Sequence, residues 1–401
     1  MAFAGQNWKG ANFYPKDSPA WRRVHDCLER TNWDELCSYA TELNHGLCYH
    51  LLPDLTNGLH HVARVLDFED GSRWLARIQM APSTKTTAAK LQNEIDAMML
   101  IRERTRIPVP RVFGYRIDDN HSIGCAFSLT EFLPGNVATD LNGGYATHQG
   151  QIPAQHRKDF YRSVARIHVQ MASLRFHKIG TIVRAEDGSY TVGPFTDIGG
   201  PFDTATDFFE AWADHAQFPL SPDKIRKSMQ GGPVEEVLTS ILEFPSTVRA
   251  MAHQLSSSDQ GPFPVVHADF FHSNIIVDQG YNVLGVIDWE GACTVPWELV
   301  EFPLFLETVP RPMDAPWNYD DENGQPLDEG TRLRWQERSE YTQMVAEAEK
   351  SELTDSKLSE TLADQRAQNL AYALRVYRNL GKLGFYTKIF QKDELKDERA
   401  E

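Results

Sequence analysis

The part of this chain that most restricts its possible folds is residues 263–292, FPVVHADFFHSNIIVDQGYNVLGVIDWEGA. Two short β-branched runs, 275–277 and 283–287, flank Asp278-Gln279-Gly280, and this pattern reads as a hairpin. A hairpin brings its outer ends together. Asn274, just before the first run, and Asp288, at the end of the second, therefore come side by side, and Asp269 lies in the loop that feeds them. One amide oxygen and two carboxylates at one sheet edge suit Mg²⁺-dependent phosphoryl transfer. Hard oxygen ligands hold the metal over substrate phosphates, while a separate carboxylate orients the attacking hydroxyl. Taken singly, each Asp has a plainer reading, as a loop cap or a strand-end turn residue.

The 401 residues suffice for two domains or one two-lobed fold with a large core. A formal net charge of −16 argues against nucleic acid and against an anionic membrane surface, and permits a cationic substrate. The five cysteines, Cys27, Cys37, Cys48, Cys125 and Cys293, lack paired metal-ligand spacing and read as free thiols of a reducing compartment, the cytoplasm. The opening MAFAGQNWKG has no apolar core of the secretory kind, and no apolar run is long enough to span a bilayer.

Residues 1–30 read as an N-terminal arm with one helix, since Trp21, Val24 and Leu28 recur at helical spacing. Asn32 caps a second helix that Asn44-His45-Gly46 ends in a left-handed turn. Strands are expected at 49–52, 62–68 and 73–79, with turns at Asn57-Gly58 and Glu69-Asp70-Gly71. A helix over 84–104 carries Leu91, Ile95 and Met98 on one face, and strands follow at 112–116 and 126–132. Leu133-Pro134-Gly135 breaks the pattern, and 136–155 reads as a loop. Helices are expected at 155–175, 204–215, 233–255, 333–353 and 358–380, with a loop or short hairpin at 180–200. His168 on the first of these reads as structural. Asp203, Asp207, Glu210 and Asp214 are candidates for a substrate rim or a solvated helix face. The charged segment 392–401 reads as a frayed tail.

His267-Ala268-Asp269-Phe-Phe-His-Ser-Asn274 and Ile287-Asp288-Trp289 resemble the catalytic and metal loops of the aminoglycoside phosphotransferase family, with Ala268 where the family has Gly. The run Trp289-Glu290-Gly291-Ala292 followed by Val295-Pro296-Trp297-Glu298 is similar to the fungal-type branch, and the likeness extends over about residues 36–305. The resemblance implies an α+β, bilobal protein-kinase-like fold. It divides into the arm (1–30), a small antiparallel-sheet nucleotide-binding lobe (31–133) and a large, mainly helical catalytic and substrate lobe (134–401). It implies ATP and Mg²⁺ as cofactors, Asp269 as base or hydroxyl-orienting group, and Asn274 and Asp288 on the metal. Arg77 stands where the family has a phosphate-pairing Lys, with Glu94 to orient it. The resemblance further implies that the backbone of Glu131, Phe132 and Leu133 would meet the nucleobase and that the turn bearing Gly58 would cover the phosphates.

The reaction implied is transfer of the γ-phosphoryl group to a hydroxyl of a small molecule, which the acidic candidates would suit if it bears an amine. Only nine residues separate Asp288 from Glu298, too short a run for the activation segment of a protein kinase, and its one Thr, Thr294, has little slack. Two alternatives stay open. A kinase of choline or another metabolite shares the same loops and would cage a cation between aromatics such as Trp289 and Trp297. A nucleotide-binding pseudokinase is suggested by Arg77, Ala268 and the Gly-poor turn, against which stand Asp269, Asn274 and Asp288.

Overall fold

The computed structural model describes residues 8–391 except 149 and 230. The expected frayed tail at 392–401 and the first seven residues of the N-terminal arm lie outside the described residues. The chain divides into two compact units. One runs from the N-terminus to Ser163 and adds Ile182–Tyr190 and His267–Ala292; the other takes Val164–Thr181, Thr191–Val266 and everything from Cys293 onward.

The first unit is built on a five-stranded antiparallel sheet. In chain order its parts are α1 (Pro19–Arg30), α2 (Trp33–Leu43), β1 (Tyr49–Asn57), β2 (His61–Phe68), β3 (Arg73–Gln79), α3 (Lys85–Arg104), β4 (Val112–Arg116) and β5 (Phe127–Glu131). The strands lie in the order β1-β2-β3-β5-β4. Alternation along β3 decides the faces. Trp74, Ala76 and Ile78 are buried in a core with Val24 and Cys27 of α1 and Leu36, Cys37 and Ala40 of α2. The intervening Leu75 and Arg77 are left for the opposite face. Helix α3 starts at a capping box on Thr84 and packs Leu91 and Ile95 against Ala126 beside β5. A smaller sheet pairs Ile275–Val277 with Val283–Val286, the expected hairpin, and with a two-residue strand, Asn136–Val137.

Several local expectations are corrected. The first strand continues to Asn57 through an irregularity between Leu51 and Leu55, a bulge that alternation of side chains does not announce. Helix α2 ends with Asn44 outside the left-handed region, and His45 (φ 57°) and Gly46 (φ 82°) make the turn instead. The segment 136–155 is not all loop: it contributes Asn136–Val137 to the small sheet and a short helix, Gly144–His148.

The second unit is mainly helical. The helices Ala205–His215, Val234–Leu255 and Gln365–Asn379 share a core that includes Phe209, Trp212, Phe244 and Tyr377. A further helix, Pro222–Ser228, opens on a Ser221 cap that the sequence reading passed over. The single helix expected at 358–380 is two, Lys357–Ala363 and Gln365–Asn379, because the Asp364 side chain caps the second against Arg366 N–H (2.8 Å). His168 is buried, with Nδ1 3.3 Å from the Tyr341 hydroxyl, as a structural histidine should be. Among the acidic rim candidates, Asp203 pairs with Lys178 at 2.8 Å and Asp214 pairs with Arg249, both as exposed ion pairs. All five cysteines are free. No helix of the described residues is long and apolar enough to cross a membrane. With one unit built on an antiparallel sheet and the other mainly helical, the chain is of the α+β class.

Candidate active site

Gly58, Arg77, Glu94, residues 131–133, Asp269, Asn274 and Asp288 all lie in the first unit. Arg77, on the inner face of β3, forms an ion pair with Glu94 of α3, and its other terminal nitrogen lies 3.6 Å from Asp288 Oδ1. Glu94 is buried, so it is the cation across the sheet that makes a carboxylate tolerable there. Burial works against the Arg77 charge, but Glu94 and then Asp288 outweigh it and hold the guanidinium pKa above its ordinary value.

The loop before the hairpin is pinned from two sides. The Asn274 side chain donates from Nδ2 to the Asp269 carbonyl oxygen (2.9 Å) and to Asp269 Oδ2 (2.8 Å). His267 is buried, and burial holds its imidazole below the ordinary range, so the ring is neutral near pH 7. Its Nδ1 accepts the Asp269 N–H (3.1 Å), and its Nε2 donates to the Ile287 carbonyl (3.0 Å). One ring thus fixes the backbone beside both carboxylates. Ile287 N–H donates to the Asn274 carbonyl at 2.9 Å, which brings the two hairpin ends together as the turn requires. Asp288 itself is left-handed (φ 64°), a conformation Asp adopts more readily than bulkier residues, and its side chain is 45% exposed. Burial raises its pKa above the ordinary carboxylate value, with Arg77 opposing.

Sequence reasoning missed the residue that holds the chain beyond Asp288. Asn93, buried on α3 next to Glu94, donates to the Ile182 and Ala292 carbonyls (3.1 Å each) and accepts the Gly291 N–H (3.0 Å). An Asn inside a helix carries no local signal for such a role. Ala268 also finds its explanation here: a Cβ on Gly291 would lie 3.2 Å from the Ala268 Cβ, so the methyl at 268 faces a residue that has none.

These groups line one cleft of about 640 Å³. Arg77, Asp269, Asn274, Asp288, Gly58, Glu131, Phe132 and Leu133 all border it, and Glu94 reaches it through Arg77. The residues after β5 bring mainly backbone and apolar groups. The Glu131 carboxylate is engaged by the Arg111 N–H (3.1 Å), with Arg102 3.6 Å away, and the Phe132 N–H already donates to the Arg73 carbonyl (3.1 Å). Gly135 is required by packing, since a Cβ there would strike the Val277 carbonyl. Nothing lies within 4 Å of a Cβ built on Gly58, so no protein contact demands glycine at that turn. The aromatic-cage expectation is corrected. Trp289 and Trp297 are both fully buried, with Trp289 donating to the Val286 carbonyl (3.1 Å) and Trp297 to that of Pro262 (3.0 Å), and neither presents a face to a ligand.

A divalent ion suits this donor set. With both Nδ2 bonds directed at Asp269, the Asn274 amide oxygen remains as acceptor, and Asp288 supplies a half-exposed carboxylate in the same cleft. No group of three or more His, Cys, Asp or Glu forms a cage among the described residues, so such an ion would complete its shell with water and phosphate oxygens.

A curated protein of Ampulloclitocybe clavipes, the clavilactone A biosynthesis cluster protein Y, is 23% identical over 225 residues, 54% of this chain and 54% of that protein. The match thus spans about half the length of that curated relative. Among solved structures, a thermostable mutant of aminoglycoside phosphotransferase APH(4)-Ia in complex with ADP and hygromycin B is 17% identical, covering 85% of this chain and 89% of that one at a TM-score of 0.46. A macrolide 2′-phosphotransferase of Brachybacterium faecium is 12% identical, covering 90% and 98% at 0.43. The model of the phosphotransferase enzyme family matches residues 57–298. That match spans more than half of the chain and takes in Arg77, Glu94, Asp269, Asn274 and Asp288, and the chain belongs to the phosphotransferase enzyme family.

Proposed function

We propose that the protein transfers the γ-phosphoryl group of ATP, with Mg²⁺, to a hydroxyl of a small molecule. The observation that carries this reading is the convergence of Arg77, Asp269, Asn274 and Asp288 on one cleft of a family phosphotransferase. Asn274 and Asp288 would hold the metal, which when bound neutralises phosphate charge. Arg77, set by Glu94, pairs the phosphates. Asp269, held by Asn274 and His267, orients the acceptor hydroxyl and receives its proton. The backbone of Glu131 to Leu133 borders the nucleobase, and the Gly58 turn covers the phosphates. Most of the acceleration asked of this site is positioning and charge neutralisation.

A small acceptor accords with the short run after Asp288, whose one Thr, Thr294, is buried and donates to the Lys178 carbonyl at 2.8 Å. It accords too with a curated relative named for a biosynthesis cluster. Five free thiols accord with the cytoplasm.

The test is ADP release from Mg·ATP over a panel of amino-sugars, amino-alcohols and polyols, with a peptide panel beside it. Acceptor-dependent release that needs Mg²⁺ and is lost in Asp269→Asn supports the reading. Turnover on peptides alone refutes the small-molecule acceptor, and failure to bind Mg·nucleotide refutes the whole.

A further inference from the structure

We infer that Trp8 is a nucleobase-contacting residue, an aromatic wall of the cleft supplied by the N-terminal arm. The inference rests on the nucleotide reading above. Trp8 borders the same cleft as Arg77 and Asp288, at the end formed by Phe132, and the two rings meet edge to face with centroids 6.3 Å apart and planes at 72°. Position 8 lies far outside the family match at 57–298, so nothing in that match assigns it.

The arm is fastened to the sheet at points that leave Trp8 where it is. Gly10, left-handed at φ 70°, donates its N–H to the Leu55 carbonyl of β1 (3.0 Å). Asn57, at the end of the same strand, donates to the Tyr14 hydroxyl (3.1 Å). Ala11 and Tyr14 pack on the core behind the sheet, whereas Trp8 is not part of that core and is only half-buried. Two tethers and two core contacts therefore serve to carry one large aromatic to the cleft. Apolar residues line the cleft with it, Ala63 and Leu75 from the sheet and Ile276 and Ile287 from the hairpin, beside polar ones such as Thr130 and Asp140. A purine is a flat π-surface of the kind an indole contacts well and sequence-tolerantly. Because the arm is already ordered by its tethers, little ordering cost remains at binding.

The test compares wild type, Trp8→Ala and Trp8→Phe by calorimetry with Mg·ATP and with Mg²⁺ plus inorganic tripolyphosphate, and follows tryptophan emission. Trp8→Ala should weaken ATP about tenfold or more and leave tripolyphosphate within about twofold. The emission change caused by ATP should be mostly lost in Trp8→Phe, although eight other tryptophans remain of the nine. ATP affinity unchanged in Trp8→Ala, or an emission change that persists in Trp8→Phe, overturns the inference. Should Trp8→Ala melt early, the emission comparison decides alone. If the wild type binds neither ATP nor GTP, the nucleotide reading fails and the inference with it; ATP binding indifferent to Trp8 overturns the inference only.

Discussion

Asn274 donates its side-chain amide to Asp269 twice, at the carbonyl oxygen (2.9 Å) and at Oδ2 (2.8 Å). The pair closes the loop between them and aims two different groups at one cleft. It orients the carboxylate of Asp269 and leaves the amide of Asn274 only its oxygen for a cation. On the proposed reading, a base and a metal ligand so joined would not act independently.

Replacement of Asp269 by Asn should therefore abolish transfer with the fold intact. Loss of the proton acceptor alone reduces turnover by about a hundredfold or more. Turnover measured beside a matched melting curve checks it; an active Asp269→Asn variant excludes the assignment. Asn274→Ala should lose as much, and the double variant little more.

Asp288→Ala should remove the Mg²⁺ dependence of nucleotide binding. Asp288, left-handed at φ 64°, borders the cleft with a half-exposed carboxylate. Calorimetric titration of Mg·ATP reads the effect. Unchanged affinity would make Asp288 a structural strand-end residue.

Arg77 should tolerate Lys but not Met. Removal of the cation leaves Glu94 charged and buried at 1% exposure, at a cost of about 3–5 kcal/mol. Adding Glu94→Gln to Arg77→Met should restore most of the stability and none of the phosphate pairing. Chemical denaturation and nucleotide titration of the single and double variants separate the two roles, and a stable, nucleotide-binding Arg77→Met would show an ordinary strand residue.

His168 gives a pH dependence whose sign is fixed. Burial lowers its pKa from the usual value to about 3. The unfolded chain then binds the proton that the folded chain refuses, so stability is lost as pH falls below about 6.5. Between pH 6.5 and 5 that single group removes about 2 kcal/mol. His168→Leu should lessen the slope of the melting temperature across this interval, part of it remaining with His61, whose pKa burial also lowers to about 3, and a slope identical to wild type would assign the acid sensitivity elsewhere.

Much of this protein is written locally. The hairpin of Ile275–Val277 and Val283–Val286 follows from two β-branched runs and a Gly-bearing turn, and Asn274 and Asp288 come together because a hairpin closes its own ends. The faces of β3 follow from alternation, and with them the inward placing of Arg77. The cap at Thr84 and the apolar face of α3 fix where that helix runs.

What the sequence by itself determined was thus the set of short-range elements and the chemistry gathered at one hairpin. Tertiary structure alone decided which distant residues serve it. Asn93 clamps Gly291 across nearly two hundred positions, Trp8 reaches the cleft from an arm whose composition says nothing of it, and Trp289 is sealed in the interior rather than offered to a cation. The division has a physical cause. Turns, caps and alternation are set by backbone sterics and hydrogen bonds within a few residues, whereas burial and long-range partnership depend on which surfaces meet once the chain has collapsed, and that is a property of the whole packing.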